Sequence, residues 1–265
     1  LAVGASAAAL AEYATAVGSE SMAEGFASTA TGAAAMASGD GSTALGALST
    51  ASGDESTAVG AFAEASGDLA TATGAESLAS GNESSAFGAL SEATGHYATA
   101  VGARADASGF NSTSIGSWST ASGFNATALG ADSIASGDDS VALGQAAMAT
   151  GAESVAIGGS SFFGFFPTEA SGDYSTAVGA GAWATGTNAT ALGNFSTATG
   201  EDATALGAGS WASADNSVAL GFESVANRDN TVSVGSAGNE RQITNVAAGT
   251  EATDAVNLSQ LEEAT

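Results

Sequence analysis

Few residues of this chain could take part in acid–base or metal chemistry. His96 is its only histidine and follows Gly95 at a predicted turn. Neighbouring acids occur at Asp54–Glu55, Asp138–Asp139 and Glu201–Asp202, also at predicted turns. Oxygen-rich turns can bind Ca²⁺, but solvation of the turns explains these acids more simply. The sequence also lacks the nine-residue repeat of calcium-binding β-rolls. We therefore predict no catalytic, cofactor-binding or metal-binding residues and no enzyme activity.

The composition excludes several classes of partner. The 265 residues include three arginines, no lysine and 28 acids, for a formal charge of −25. Such a chain repels nucleic acid and anionic membranes. Cysteine is absent, which excludes disulfide and thiol chemistry. No apolar run is long enough to cross a bilayer and no signal peptide begins the chain, so we expect no direct membrane insertion by this segment.

Glycine recurs at every seventh position, as at Gly18, Gly25, Gly32 and Gly39. With each glycine as position 0, position −2 is almost always alanine, and position −4 is alanine, serine or threonine. A coiled coil needs large apolar residues at two heptad positions, and glycine in a helix costs about 1 kcal/mol each time. Small residues at −4, −2 and 0, with variable ones between, instead predict one short strand and one turn per seven residues.

Two kinds of seven-residue unit alternate, so the true repeat is fourteen residues. One kind carries mostly Val, Leu, Ile or Phe at position −1, and the other carries Ser or Thr there. Stacked fourteen-residue coils form two parallel sheets back to back, an all-β solenoid with a thin interior of Ala, Ser and Gly. We call the sheet of the first kind of unit the first sheet and the other the second sheet. Roughly sixteen coils at about 4.8 Å each make a rod about 75 Å long.

The outward positions of the first sheet carry no charge, whereas those of the second include Glu64, Glu92, Asp106 and Glu169. An apolar stripe of this length is more than a monomer usually exposes, and an Ala/Ser interior offsets little of the backbone entropy lost on folding. We therefore expect an obligate oligomer packed through the first sheet. The predicted interface residues are Val17, Leu45, Val59, Val101, Ile115, Leu129, Leu143, Ile157, Val178, Leu192, Leu206 and Leu220.

The repeat breaks after Gly158, where the units slip by one half-coil. The simplest account is a seven-residue insertion within about 159–168, looped out of one turn, which carries Phe162, Phe163, Phe165, Phe166 and the only proline, Pro167. This Phe loop could fasten one chain to another or form an exposed partner-binding patch, and both alternatives stay open.

The period also ends near Gly235, which predicts a head over 1–235 and a different unit over 236–265. Asp254 is a plausible N-cap for a helix over 255–264, in which Leu258, Leu261 and Thr265 have the spacing of an incipient coiled coil.

The repeats "NSVALG" (216–221) and "ESVAIG" (153–158), followed by "NTVSVGSAGNERQITNVAAGTEATDAVNLSQL" (230–261), resemble the head and neck of YadA-like trimeric autotransporter adhesins. The resemblance implies a left-handed parallel β-roll, a homotrimer, and a neck and coiled coil that contain Arg241, Asp254, Leu258 and Leu261. It also implies location on the surface of a Gram-negative bacterium, with a signal peptide, stalk and outer-membrane anchor outside this segment. Family heads bind extracellular matrix proteins, host cells or one another, and the target varies.

Two functions remain open. The first is an adhesin head that binds a host matrix protein or cell-surface receptor. The second is an ice-binding β-solenoid, because ladders of threonine beside valine or leucine recur on a flat face, as in "STAV" and "NATALG". The neck run favours the first.

Overall fold

The structure, a computed structural model, describes residues 1–160 and 165–264. In this part of the chain the strands form two parallel sheets of 17 and 16 strands. The strands of the first sheet are β1 (Ala2–Val3), β3 (Thr15–Val17), β5 (Thr29–Thr31), β7 (Thr43–Leu45), β9 (Thr57–Val59), β11 (Thr71–Thr73), β13 (Ser85–Phe87), β15 (Thr99–Val101), β17 (Thr113–Ile115), β19 (Thr127–Leu129), β21 (Val141–Leu143), β23 (Val155–Ile157), β25 (Thr176–Val178), β27 (Thr190–Leu192), β29 (Thr204–Leu206), β31 (Val218–Leu220) and β33 (Val232–Ser233).

The second sheet alternates with the first along the chain. Its strands are β2 (Ala8–Ala9), β4 (Met22–Ala23), β6 (Met36–Ala37), β8 (Thr50–Ala51), β10 (Glu64–Ala65), β12 (Leu78–Ala79), β14 (Glu92–Ala93), β16 (Asp106–Ala107), β18 (Thr120–Ala121), β20 (Ile134–Ala135), β22 (Met148–Ala149), β24 (Glu169–Ala170), β26 (Trp183–Ala184), β28 (Thr197–Ala198), β30 (Trp211–Ala212) and β32 (Val225–Ala226). A short helix, α1 (Leu258–Ala264), follows near the C-terminus. The predicted all-β parallel solenoid is confirmed.

Each residue pairs with its equivalent one coil away. Leu129 pairs with Leu143, and Ile134 pairs with Met148, in both cases across fourteen residues. The pairing therefore stacks like positions into columns that run along the rod, so each position of the repeat becomes one continuous line on its surface.

Corner glycines are required because successive coils approach too closely for a side chain. A Cβ on Gly137 would lie 1.9 Å from the carbonyl oxygen of Gly151. A Cβ on Gly130 would lie 2.4 Å from the carbonyl oxygen of Gly144, and Gly130 also has a φ of +139°. The three corner positions without glycine, Ala11, Ala214 and Arg228, all lie in the first or last coils of the rod.

The turns that follow the corners adopt the left-handed backbone conformation two residues after the glycine position. Most of these residues are not glycine: Leu48, Phe62, Tyr97 and Trp118 have φ between 58° and 61°. Within 1–160 and 165–264, none of the non-glycine residues in this conformation is valine, isoleucine or threonine, because a β-branched side chain is strongly disfavoured at positive φ.

The interior is only as wide as two small side chains. Alanine at position −2 is buried in nearly every coil, and Thr168 is the largest fully buried side chain in the described residues. Serines fill much of position −4. Where the chain enters the second sheet they donate to the corner carbonyl, as Ser133 Oγ does to Gly130 O at 2.8 Å. Where it enters the first sheet, eight buried hydroxyls of the described residues, including that of Ser140, have no hydrogen-bond partner there.

The register shifts at only one point in the described strands. Met148 pairs with Glu169 and Val155 pairs with Thr176, each across 21 residues instead of fourteen. Both sheets continue without interruption, so the seven extra residues fall between β23 and β24 in the sequence. Thr168 then resumes the buried position −4 and donates its hydroxyl to Gly159 O at 3.1 Å and Gly179 O at 2.8 Å.

We predict that Gly137→Ala destabilises the protein by at least about 3 kcal/mol, because the blocking atom is backbone and cannot rotate away. The matched control is Gly41→Ala at a turn tip, where a Cβ meets nothing closer than Glu55 Cγ at 3.5 Å. Alanine already adopts this conformation at Ala27 and Ala34, so the control changes stability by less than about 1 kcal/mol. Denaturant unfolding of both variants tests the prediction, and equal effects would refute the steric explanation.

Candidate binding surfaces

The twelve predicted interface residues form one column on the outer face of the first sheet. Each is the third residue of its strand, and the register places Leu129, Leu143 and Ile157 directly over one another. Their side chains are about two-fifths exposed in the single chain, at 41%, 38% and 37%. The structure therefore brings all twelve together on one uncharged face, which we call the apolar column.

The outer face of the second sheet is mixed in character. Glu64 and Glu92 are exposed on it, as predicted from the alternation. Two large residues that the sequence analysis did not single out, Trp183 and Trp211, begin β26 and β30 on the same face. The signal that could have revealed them is their position −3 in second-sheet units, which is an outward position.

The described end of the Phe loop, from Phe165 onward, contacts its own chain through Phe166 and Pro167. The Phe166 ring lies 6.2 Å from the Trp183 ring and 5.7 Å from the Phe195 ring, between centroids. Trp183 Nε1 donates to the carbonyl oxygen of Pro167 at 3.0 Å. Phe165 is 80% exposed. Phe162 and Phe163, the other two predicted loop residues, lie outside the described residues.

The acids on the turns accept hydrogen bonds from the backbone of the preceding coil. Asp54 Oδ1 accepts from Asp40 N at 2.9 Å, and Asp68 Oδ1 accepts from Asp54 N at 3.1 Å. His96 takes the same place in this ladder, where its Nδ1 accepts from Asn82 N at 3.3 Å. Among the described residues no group of three or more His, Asp or Glu side chains could hold a metal ion. These turn residues therefore satisfy backbone donors that the sheets leave unpaired.

Aromatic side chains cluster on the turns near the middle of the rod. The Phe110 and Phe124 rings stack with centroids 5.2 Å apart, and Tyr97 meets Phe110 edge-on at 5.5 Å. On the opposite edge, Arg104 lies over the Trp118 ring at 4.4 Å. The fourteen-residue register brings these residues together, although they are distant in sequence.

Arg241 joins the segment after the last strand to the end of the roll. Its guanidinium donates to Ser224 Oγ and Val234 O, both at 2.8 Å, and also to Phe222 O. The guanidinium therefore satisfies acceptors at the last corner, where no further coil follows to do so. Arginine suits this role because its fork of donors reaches several acceptors at once.

The helix begins later than predicted, so the assignment of Asp254 as its N-cap is wrong. Helix α1 starts at Leu258, and Asn257 Oδ1 caps it by accepting from Gln260 N at 3.1 Å. Gln260 Oε1 in turn accepts from Asn257 N at 3.4 Å, a reciprocal capping box. Asp254 instead closes the preceding turn, where Oδ2 accepts from Thr250 N and Glu251 N. Leu258 and Leu261 are 69% and 55% exposed in the single chain.

Two family models match the chain. The model described as the YadA head domain repeat (2 copies) matches residues 1–21, 23–49, 51–77, 79–105, 107–133, 135–161, 170–196, 198–224 and 216–237. The model described as the coiled stalk of trimeric autotransporter adhesin matches residues 242–265. In the described residues no helix is long and apolar enough to cross a membrane.

One solved structure similar to this chain is the crystal structure of the collagen-binding domain of the Yersinia adhesin YadA. It is 30% identical, the alignment covers 71% of this chain and 85% of that chain, and the TM-score is 0.42. No curated protein matches the sequence.

We predict that Asp254 makes the turn before α1 sensitive to acid. The backbone hydrogen bonds from Thr250 and Glu251 lower the pKa of the Asp254 carboxyl below its ordinary value. A lowered pKa in the folded state means that this stabilisation is complete above the unfolded value of about 3.9 and is lost as the pH falls through the folded pKa. A carbon NMR titration of the carboxyl should give a midpoint below that value. A midpoint at or above it would contradict the prediction.

Proposed function

The chain belongs to the trimeric autotransporter adhesins, as an adhesin head and neck segment, and from this membership we propose that it binds host matrix proteins or cell-surface receptors. Binding would use the outer surface of a trimeric rod. The observation that carries the proposal is the division of the roll into one uncharged face and one mixed, accessible face. The family is one of surface-exposed, non-enzymatic proteins.

The apolar column supports trimer contact through the first sheet. Its residues line the rod from Val17 to Leu220, and no charged residue occupies the outward positions of that sheet. In a single chain these leucines and isoleucines remain about two-fifths exposed. Since burial of such a side chain is favourable by roughly 1.5–3 kcal/mol, repetition over many coils gives a large gain on association. The second sheet then faces solvent and is available to other molecules.

We place the boundary between head and neck near Gly235. The last strand ends at Ser233, and Arg241 attaches the following segment to the end of the roll. In this proposal Asp254 shapes the neck, and Leu258 and Leu261 begin a three-stranded coiled coil. Exposure of both leucines in the single chain supports that role. C-terminal parts outside this segment would hold the protein in the outer membrane.

We propose that the segment acts only by binding and catalyses no reaction. His96 and the turn acids accept backbone hydrogen bonds instead of meeting a nucleophile. The ice-binding alternative is not supported, because the head and stalk matches account for most of the chain.

We predict that Leu143→Asp weakens or abolishes the trimer, because it places a charge inside an apolar interface at a cost of several kcal/mol per chain. The control is Ser136→Asp, an exposed position one half-coil earlier on the second sheet, with an expected change within about 0.5 kcal/mol. Sedimentation and thermal unfolding distinguish the two variants. A monomeric wild-type protein, or equal effects of both substitutions, would overturn the proposed interface.

For ligand binding, we expect the trimer to bind saturably to at least one of the collagens, fibronectin, laminin or host cells. Leu143→Asp should bind more weakly, because a monomer loses multivalent contact, whereas Ser136→Asp should remain a trimer. Surface-binding assays with both variants provide the test. Absence of binding to every one of these targets, with the trimer intact, would count against the proposal.

A further inference from the structure

The outer face of the second sheet carries an aromatic line close to the neck. Trp183 pairs with Thr197, and Thr197 pairs with Trp211, so the two indoles stand in one column two coils apart. At about 4.8 Å per strand, this separation is about 9.6 Å. The inference below rests on the proposed function, because it requires the second sheet to face outward in the trimer.

The two tryptophans have similar positions but different partners. Trp183 is covered by its own chain, since its indole donates to Pro167 O at 3.0 Å and its ring lies near Phe166. Trp211 is 49% exposed, and among the described residues its indole N–H has no hydrogen-bond partner. Trp183 therefore shows one contact that this face makes, in which an indole N–H donates to the carbonyl oxygen of a proline. At Trp211 the same contact is open.

The coil spacing matches the geometry of an extended proline-rich segment. A polyproline II helix has three residues per turn and rises 3.1 Å per residue, or about 9.3 Å per turn. A proline-rich segment bound at Trp211 would therefore lie about one polyproline II turn along the rod from Pro167, which contacts Trp183. The open stretch over β28, β30 and β32 spans three strands, about 14 Å, which suits four or five residues of this conformation.

The acidic side chains on the adjoining turns favour a positively charged ligand. Glu201, Asp202, Asp215 and Asp229 lie exposed on the turns between the second sheet and the first at this end, and Arg228 lies exposed beside them. Four negative charges and one positive charge give a local net charge of −3. Thr199, exposed two residues after Thr197 on the same face, adds a hydroxyl beside the aromatic line.

We propose that Trp211 is the centre of a docking site for a short proline-rich segment that carries lysine or arginine. Proline supplies the rigid apolar surface that aromatic side chains recognise in this conformation. The basic residues meet the acidic turns. Trp211 donates its indole N–H to a ligand carbonyl, as Trp183 does to Pro167.

The test uses the complete chain as a trimer and a twelve-residue peptide of four Pro-Pro-Arg repeats. A peptide of four Gly-Gly-Arg repeats has the same length and charge and serves as the ligand control. We expect the proline peptide to bind, and Trp211→Ala to weaken binding by about tenfold or more, as for a buried aromatic anchor. Trp211→Phe, which keeps a ring but loses the donor, should be intermediate. Trp118→Ala removes an exposed indole elsewhere on the rod and should leave binding unchanged.

Several results would overturn the proposal: no binding of the proline peptide, equal binding of the glycine peptide, or equal losses from Trp211→Ala and Trp118→Ala. A triple-helical collagen peptide that binds while the single strand does not would also overturn the assignment of the ligand. If Trp211→Ala fails to assemble, the wild-type protein decides, because only the indole N–H resonance of Trp211 should shift on titration. Sedimentation in parallel shows whether the proposed trimer itself has failed, which separates the two hypotheses.

Discussion

The fold depends on the contact between each corner and the backbone of the next coil. At Gly137 the carbonyl of Gly151 occupies the space of a missing Cβ, at 1.9 Å from its ideal position. Coils can stack at strand spacing all around their circumference only if both corners are this thin. That requirement in turn limits the interior to alanine, serine and threonine. With so little apolar surface inside, the chain places its larger aliphatic side chains outside, where only another molecule can bury them.

Much of this architecture could be predicted because it repeats. The seven-residue glycine period, the alternation at position −1 and the uncharged face each appear many times, so a single odd unit does not obscure them. The place of the seven-residue insertion is also predictable, because the repeating units slip by one half-coil there. Repetition turns weak local preferences into a reliable pattern.

Features that occur once, or that join residues one coil apart, were not predictable in the same way. Asp254 is a residue type that often caps helices, but Asn257 caps this one. The side chains of Asn257 and Gln260 each accept a hydrogen bond from the other residue's backbone N–H. The contact between Trp183 and Pro167 joins a strand to an irregular loop. His96 looked like an isolated exposed residue, yet it accepts a backbone hydrogen bond as the aspartates do. The contacts of Trp183 and His96 depend on distances between coils, which spacing in sequence does not specify.

The exact one-coil register has a consequence for how such proteins change in length. Deleting or duplicating fourteen codons anywhere in the roll removes or adds one rung and leaves every column in place. Deleting or duplicating seven codons within a strand would exchange the apolar column with the mixed face beyond that point. The seven extra residues between β23 and β24 cause no such exchange, because Glu169 still pairs in the second sheet and Thr176 in the first. Unequal crossing-over between such repeats can therefore lengthen or shorten the rod by whole coils. The apolar column stays on one face of the rod throughout.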